Sequence, residues 1–239
     1  MVTKSQIKFI RSLSISKYRK LHKCFIAEGD KIIHEFINSK YNIRELICTN
    51  GWLAQHPGWA KGLPTTADKP ENIARLSNLK SPPDVIAVID LPEEQHLPDP
   101  GAALVLALDE VQDPGNTGTI IRIADWFGIK QIICSHVCAC IYNTKVIQSS
   151  MASIARVDVL VTDLLPWVKD HPSCNYYAAA LDGDDLTAMD KLKEGVIMIG
   201  NESKGLNPEL LSKANTRITI PRLGQAESLN AAVATGIIL

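Results

Sequence analysis

The sequence predicts an α/β protein of two domains, the larger built on a mostly parallel sheet, and three observations carry that reading. From residue 102 onward, short apolar strands alternate strictly with helical segments. Runs such as ALVLAL and VIMI are apolar at every position, as strands covered by helices on both faces must be. Upstream lies a smaller alternation of strands and helices, set apart by Leu91 to Gly101. That stretch, LPEEQHLPDPG, holds three prolines, two glutamates and no apolar periodicity. We therefore expect one domain over residues 1–95, a linker over 96–101 and a second domain over 102–239.

Taken in order, residues 4–23 read as a polar, basic helix with Ile7, Ile10, Leu13 and Tyr18 on one side. Phe25–Ala27 is a short strand, and Glu28-Gly29-Asp30 a turn. Asp30 is placed to cap a helix from Lys31 to Ser39 that turns Ile32, Ile33, Phe36 and Ile37 inward. Ile43–Thr49 is a second strand, Asn50-Gly51 a turn, and Val85–Ile89 a third strand. Between the last two, Trp52–Ala60 and Glu71–Leu79 read as short helices. In the larger domain the strands expected are Ala102–Leu108, Gln131–Cys134, Val157–Val161, Tyr176–Leu181, Val196–Ile199 and Arg217–Ile220. Helices fall near 117–127, 143–154, 163–170, 186–192, 205–213 and 228–238. No internal repeat or low-complexity tract interrupts the pattern.

Composition narrows the function classes. At 239 residues and 46% hydrophobic content the chain can bury a large core, and it lacks an apolar run long enough to span a bilayer. Its start has basic residues but no apolar core of a secretory signal. The six cysteines follow no framework spacing, which suggests a reducing compartment, and cytoplasm is the expected address. Net charge is only −1, yet residues 1–40 hold nine Lys/Arg against Glu28, Asp30 and Glu35, a net of +6. A basic end on an acidic body points to a polyanion docking in one place.

Three stretches carry chemistry. In the first, an apolar strand ends in Asp109-Glu-Val-Gln-Asp-Pro-Gly-Asn116, and a helix begins. Gly115 and Gly118 permit close approach of backbone or ligand. Arg122 lies six residues past Asn116, nearly two turns, and is expected below it on the same side, where its fork suits a phosphate. The bland alternative is a surface arginine. In the second, a buried strand ends at Gly200, and Asn201-Glu202-Ser203-Lys204-Gly205 forms the following loop. Glu202 suits a proton acceptor or a helix cap equally well. In the third, a strand stops at Ile220-Pro221, a loop with Gly224 follows, and Glu227-Ser228-Leu229-Asn230 opens an apolar helix, with Ser228 or Glu227 expected as its cap. All three stand at strand ends, where open α/β sheets bind ligands.

In order and wording these stretches resemble the three motifs of the SpoU/TrmH class of SPOUT RNA methyltransferases. The family pairs an asparagine with a helix arginine, as Asn116 and Arg122 stand here. It then has Gly-Asn-Glu-x-x-Gly-Leu, as at Gly200 to Leu206, and Ile-Pro followed by Ser-Leu-Asn, as at Ile220-Pro221 and Ser228-Leu229-Asn230. The likeness covers residues 102–239 and includes Asn143 to Arg156; residues 1–95 resemble more loosely the L30e-like RNA-binding domain that many members carry. There are departures: Thr144 stands for a usual proline, Ala152 for a glycine, and Arg222 where methionine is common. The chain also stops at Leu239, a few residues early for the family, so a shortened last helix is expected.

The resemblance implies a deep trefoil knot in the C-terminal segment, which periodicity could not suggest and which general priors oppose. It implies S-adenosyl-L-methionine as cofactor, its adenine lying between the loops after Gly200, Ile220 and Leu229, with Asn201 and Gly205 also at the cofactor. It implies methyl transfer to a ribose 2′-hydroxyl of RNA, ribosomal RNA before tRNA. Arg122 would hold the phosphate beside the target ribose, Glu202 or water would accept the proton, and Asn116, Ser228 and Asn230 would position these groups. It further implies a homodimer, with the apolar terminal helix (Ala231, Ala232, Val233, Ile237, Ile238) at the interface.

Two rival readings fit the sequence less well. An RNA-binding or ribosome-assembly module could keep the fold without turnover, but the full set of motif residues argues against it. An ordinary nicotinamide enzyme would need a G-x-G-x-x-G after a strand, which is missing. Cys134, His136, Cys138 and Cys140 alternate as if on one face of a strand. Neighbours two apart there lie about 6–7 Å apart, too far for a tetrahedral zinc site, so no metal is expected.

Overall fold

The computed structural model describes residues 1–92, 100 and 103–239; the expected linker, apart from Pro100, lies outside them. The chain divides into two units. One is Met1–Glu94 together with Tyr142–Ala155, and the other is Gln95–Ile141 with Arg156–Leu239.

The elements run α1 (Lys4–Ser12), α2 (Ser16–His22), β1 (Cys24–Glu28), α3 (Asp30–Ile37), β2 (Ile43–Thr49), α4 (Asn50–Gln55), β3 (Thr65–Asp68), α5 (Pro70–Ala74) and β4 (Val85–Asp90). They continue as β5 (Leu104–Leu108), α6 (Pro114–Trp126), β6 (Gln131–Cys134), α7 (Thr144–Ser150), β7 (Asp158–Val161), α8 (Leu164–Asp170) and β8 (Tyr176–Asp185). The last are β9 (Gly195–Ile199), α9 (Pro208–Leu211), β10 (Thr216–Thr219) and α10 (Ala231–Ile238).

The first unit is a four-stranded sheet in the order β1-β4-β2-β3, antiparallel except for the β2–β3 pair. One core packs Ile10 and Leu13 of the N-terminal segment with Ile26, Ile47, Ile73, Leu76, Ile86 and Val88, all essentially without solvent exposure. The single helix expected over 4–23 is two. Ser12 Oγ donates to Phe9 O at 2.6 Å and Ser14 Oγ to Arg11 O at 2.8 Å, so these hydroxyls compete for the carbonyls that would carry α1 onward. Arg19 then turns inward, only 3% exposed, and donates from one Nη to the carbonyls of Leu13 and Ser14 at 2.9 and 2.8 Å. The α3 cap is Gly29, not Asp30; Asp30 is the first residue of the helix, its carboxylate accepting from Trp52 Nε1 at 2.6 Å. Strand β3 has no signal in the sequence: its TTAD is too short and too polar to stand out and is ordered by pairing with β2. Segment Tyr142–Ala155, read with the larger domain, belongs to this unit. Tyr142 lies against Phe25 at a ring separation of 4.9 Å, and Gln148 Nε2 donates to Glu28 O at 2.8 Å.

The second unit is a six-stranded sheet, β10-β8-β9-β5-β6-β7, parallel at every pairing. Its central strands β5 and β9 carry the apolar runs and are almost wholly buried. Strand succession moves outward from β5 through β6 to β7, then restarts at β8 and returns to β9 beside β5, so the order reverses between β5 and β9. That reversal opens a crevice at the carboxyl ends of the two strands. At 186–192 only a 3₁₀ turn forms, over Leu186–Ala188, since the helical turn stops within three residues. The last helix begins at Ala231 rather than at 228.

Candidate active site

Each sequence-flagged loop is shaped by its own local chemistry. After β5, Glu110 takes a left-handed conformation (φ 53°), and its N–H donates to Ser135 Oγ at 2.9 Å. Asp113 caps α6 by accepting from Asn116 N at 2.8 Å, with Pro114 at the first turn. After β9 the chain makes a tight loop in which Asn201 and Gly205 exchange main-chain hydrogen bonds of 3.1 and 2.8 Å. Gly205 adopts φ +71°. Asn201 Oδ1 accepts from Ser203 N and Lys204 N, while its Nδ2 donates to Glu110 O at 3.0 Å. The side chain of Asn201 is thus spent on building the loop and tying it to the one after β5. Gly200 sits where a Cβ would lie 2.3 Å from the Gly205 carbonyl carbon and 2.4 Å from Leu206 N. Glycine is required there because backbone passes backbone.

The third loop, 221–230, is exposed throughout, and Leu223 and Leu229 project from it. The cap of α10 is Asn230, whose Oδ1 accepts from Ala232 N and Val233 N at 3.0 and 3.3 Å. Ser228 and Glu227, expected at the cap, stand outside the helix because Asn230 reaches two of the orphan donors of its first turn.

These loops meet at Asn116. Its Nδ2 donates to Glu202 Oε1 at 2.5 Å, and its Oδ1 accepts from Asn230 Nδ2 at 2.8 Å. One amide therefore links the second and third stretches through the first. Arg122 is not in this network. Six residues at ~100° each place it about 120° around α6 from Asn116, not beneath it as expected, and it is exposed. Among the described residues it has no hydrogen bond or ion pair. It is a cation held toward solvent with its five donors free. Ile220 is half-buried just past β10 and Ser228 is exposed, and among the described residues neither has a hydrogen bond to Asn116, Glu202 or Asn230.

The sequence reading passed over Asp109. This carboxylate, 7% exposed at the end of β5, accepts from Asn207 N at 2.8 Å, and burial pushes its pKa up. Asn207 in turn caps α9. An acid placed directly after an all-apolar strand is the signal the sequence offers. The cysteine cluster is not the single strand face assumed: β6 ends at Cys134, and His136, Cys138 and Cys140 lie in the turns beyond. Among the described residues no group of three or more ligating side chains is placed to hold a metal. Cys138 Sγ donates to Leu108 O at 3.2 Å, beside the site. A hydrogen bond from Cys134 holds its thiol down to about 7 against the effect of burial, while Cys134 is pushed well up by the same bond and by its burial.

A parallel sheet with three loops joined at its switch point defines a ligand-binding α/β domain. Residues 103–239 match the family described as the SpoU rRNA Methylase family, and residues 4–87 match the MRM3-like substrate binding domain. The chain belongs to the SpoU rRNA methylase family. It is 27% identical to the 23S rRNA (guanosine(2553)-2′-O)-methyltransferase RlmP of Bacillus subtilis, covering 98% of this chain and 97% of that protein. A solved structure assigned to the TrmH family of RNA methyltransferases, from Porphyromonas gingivalis, is 33% identical with a TM-score of 0.84, covering 100% of this chain and 96% of the other. An AdoMet-bound rRNA methyltransferase from Sinorhizobium meliloti is 28% identical with a TM-score of 0.87, covering 100% and 94%.

The residues present fit such a cofactor. From Arg222 to Leu229 no main-chain N–H donates to another main-chain carbonyl among the described residues. Exposed donors and acceptors flanked by leucine suit the edge and face of a purine. Among the described residues no helix is long and apolar enough to cross a membrane.

Proposed function

We propose that the protein methylates a ribose 2′-hydroxyl of ribosomal RNA with S-adenosyl-L-methionine, and the observation that carries this is the Asn116 bridge between Glu202 and Asn230. The cofactor supplies an activated methyl group on a sulfonium, a good leaving group. The chain must then align the hydroxyl with that methyl and take its proton. Main-chain groups after Gly200, Ile220 and Leu229 hold the cofactor, with Asn201 and Gly205 fixing the shape of the first loop. Asn116 orients Glu202, whose carboxylate is the proton acceptor we favour. A guanidinium offers five donors and no acceptor, so the part of Arg122 is to bind the phosphate beside the target ribose. Asn230 and Ser228 set the edge of the loop that faces this ribose.

Support for threading of the C-terminal segment as a trefoil knot comes from sheet order. β10 is the edge strand beside β8, yet the chain after it returns to lay α10 on α6, which follows β5. For a homodimer the support is an apolar face on those same helices. Trp126 is 86% exposed, and Phe127, Val233 and Ile237 are each about half exposed, large apolar side chains that a second copy would take out of water. A ribosomal RNA substrate and six free thiols agree with a cytoplasmic address.

The test is transfer of labelled methyl from S-adenosyl-L-methionine to ribosomal RNA, with the product mapped as a 2′-O-methyl nucleotide. Wild type should label one position. Arg122→Ala should lose most of the activity while binding cofactor normally; full labelling by that variant would remove Arg122 from the mechanism.

A further inference from the structure

The smaller unit carries a ring column that its packing does not require. Trp52 is buried and locked, its Nε1–H donated to Asp30 Oδ1 at 2.6 Å. His56 stacks on it at 4.8 Å and 24°. Its Nδ1 lies 3.1 Å from Trp52 O, and since a carbonyl only accepts, that nitrogen carries the hydrogen. Its Nε2 faces Asp30 Oδ1 at 3.8 Å. Trp59 lies against His56 at 4.7 Å, and His34 against Trp59 at 4.3 Å and 32°. Exposure rises outward: Trp52 is buried, His56 and Trp59 are half-buried, and His34 is exposed.

Anchoring α4 on α3 explains Trp52. It accounts for Trp59 only in part: Trp59 meets Trp52 edge-on at 5.9 Å, but it follows Pro57-Gly58 on a turn outside any helix or strand and carries the exposed His34 on its outer side. We propose that His34, the outermost ring of this column and backed by Trp59, is a stacking platform for an unpaired base of the RNA, a reading that rests on the function proposed above. Indole and imidazole faces stack with any base, and bases so held need no edge-specific partner. Lys31, three residues before His34 on α3, and Lys61, two after Trp59, are both exposed and give cations for the flanking phosphates. The acid at the inner end, Asp30, has its carboxylate held by the Trp52 indole N–H.

The experiment uses the full-length protein and a single-stranded RNA dodecamer, with the same strand annealed to its complement as the second probe. Trp59→Ala should weaken single-strand binding by roughly tenfold or more, while Trp59→Phe, which keeps a ring, retains most of it. Duplex binding and titration with S-adenosyl-L-methionine should not change in either. Equal loss in both variants, or wild-type affinity in Trp59→Ala, overturns the platform. If Trp59→Ala melts early, His34→Ala decides instead, since that side chain is exposed; wild-type affinity there also overturns it. Failure of the wild-type protein to methylate ribosomal RNA would sink the proposed function, whereas intact methylation with an unaffected Trp59→Ala sinks the platform alone.

Discussion

Asn230 Nδ2 donates to Asn116 Oδ1 over 2.8 Å, between residues 114 apart in sequence. The orientation of both amides follows. Asn230 must present its oxygen to the α10 amides, so its nitrogen is what remains for Asn116. Asn116 then has only its own nitrogen left for Glu202. Asn116→Ala removes both bonds at once, and since solvent reaches both partners it should cost about 0.5–1.5 kcal/mol for each lost bond, read as a lower melting temperature. Asn116→Asp should be worse, because it sets two carboxylates face to face. Adding Glu202→Gln should restore much of that loss; a double variant no more stable than Asn116→Asp would mean the bridge is not coupled.

Gly200 faces backbone, so the smallest side chain is enough to disrupt it. Gly200→Ala should force the Asn201–Gly205 loop to move, since its methyl would meet Gly205 and Leu206 backbone at 2.3–2.4 Å. Calorimetric titration with S-adenosyl-L-methionine should show affinity lost with alanine, without any need for bulk. Normal affinity would place the cofactor away from this loop.

The basic N-terminus divides into two kinds of residue. Arg11, Lys17 and Lys20 are exposed, and reversing their charges should leave melting unchanged while flattening the salt dependence of RNA binding by about 2 in log–log slope. Arg19 is buried between two carbonyls, and Arg19→Ala should destabilise the unit by about 2–3 kcal/mol instead. A reversal of all four would confuse the two effects. So would deletion of residues 1–95, which removes β1 from beneath α7.

Cys138 should react with iodoacetamide well below the pH of an ordinary thiol. Its pKa is lowered to about 7 by the hydrogen bond from Cys134, so the thiolate predominates above that pH and is lost below it. The alkylation rate should rise with a midpoint near 7 and move upward in Cys134→Ala. A midpoint that stays fixed in that variant would rule out Cys134 as the cause.

The sequence alone was enough for the class of fold and for the residues of the three loops. Unbroken apolar runs fix buried parallel strands, and β6 and β2 match their expected ends because turn residues bound them. Those are local signals, set by side chains a few positions apart. Tertiary structure decided the rest. TTAD became a strand only because β2 offers it a partner. Arg19 went inward because a broken helix left carbonyls unmet, which no charge count reveals. Asn230 rather than Ser228 became the cap, and Asn116 the joint of the site, because hydrogen bonds depend on distance and direction between atoms far apart in the chain. A sequence names the donors and acceptors; only the folded backbone determines which of them meet.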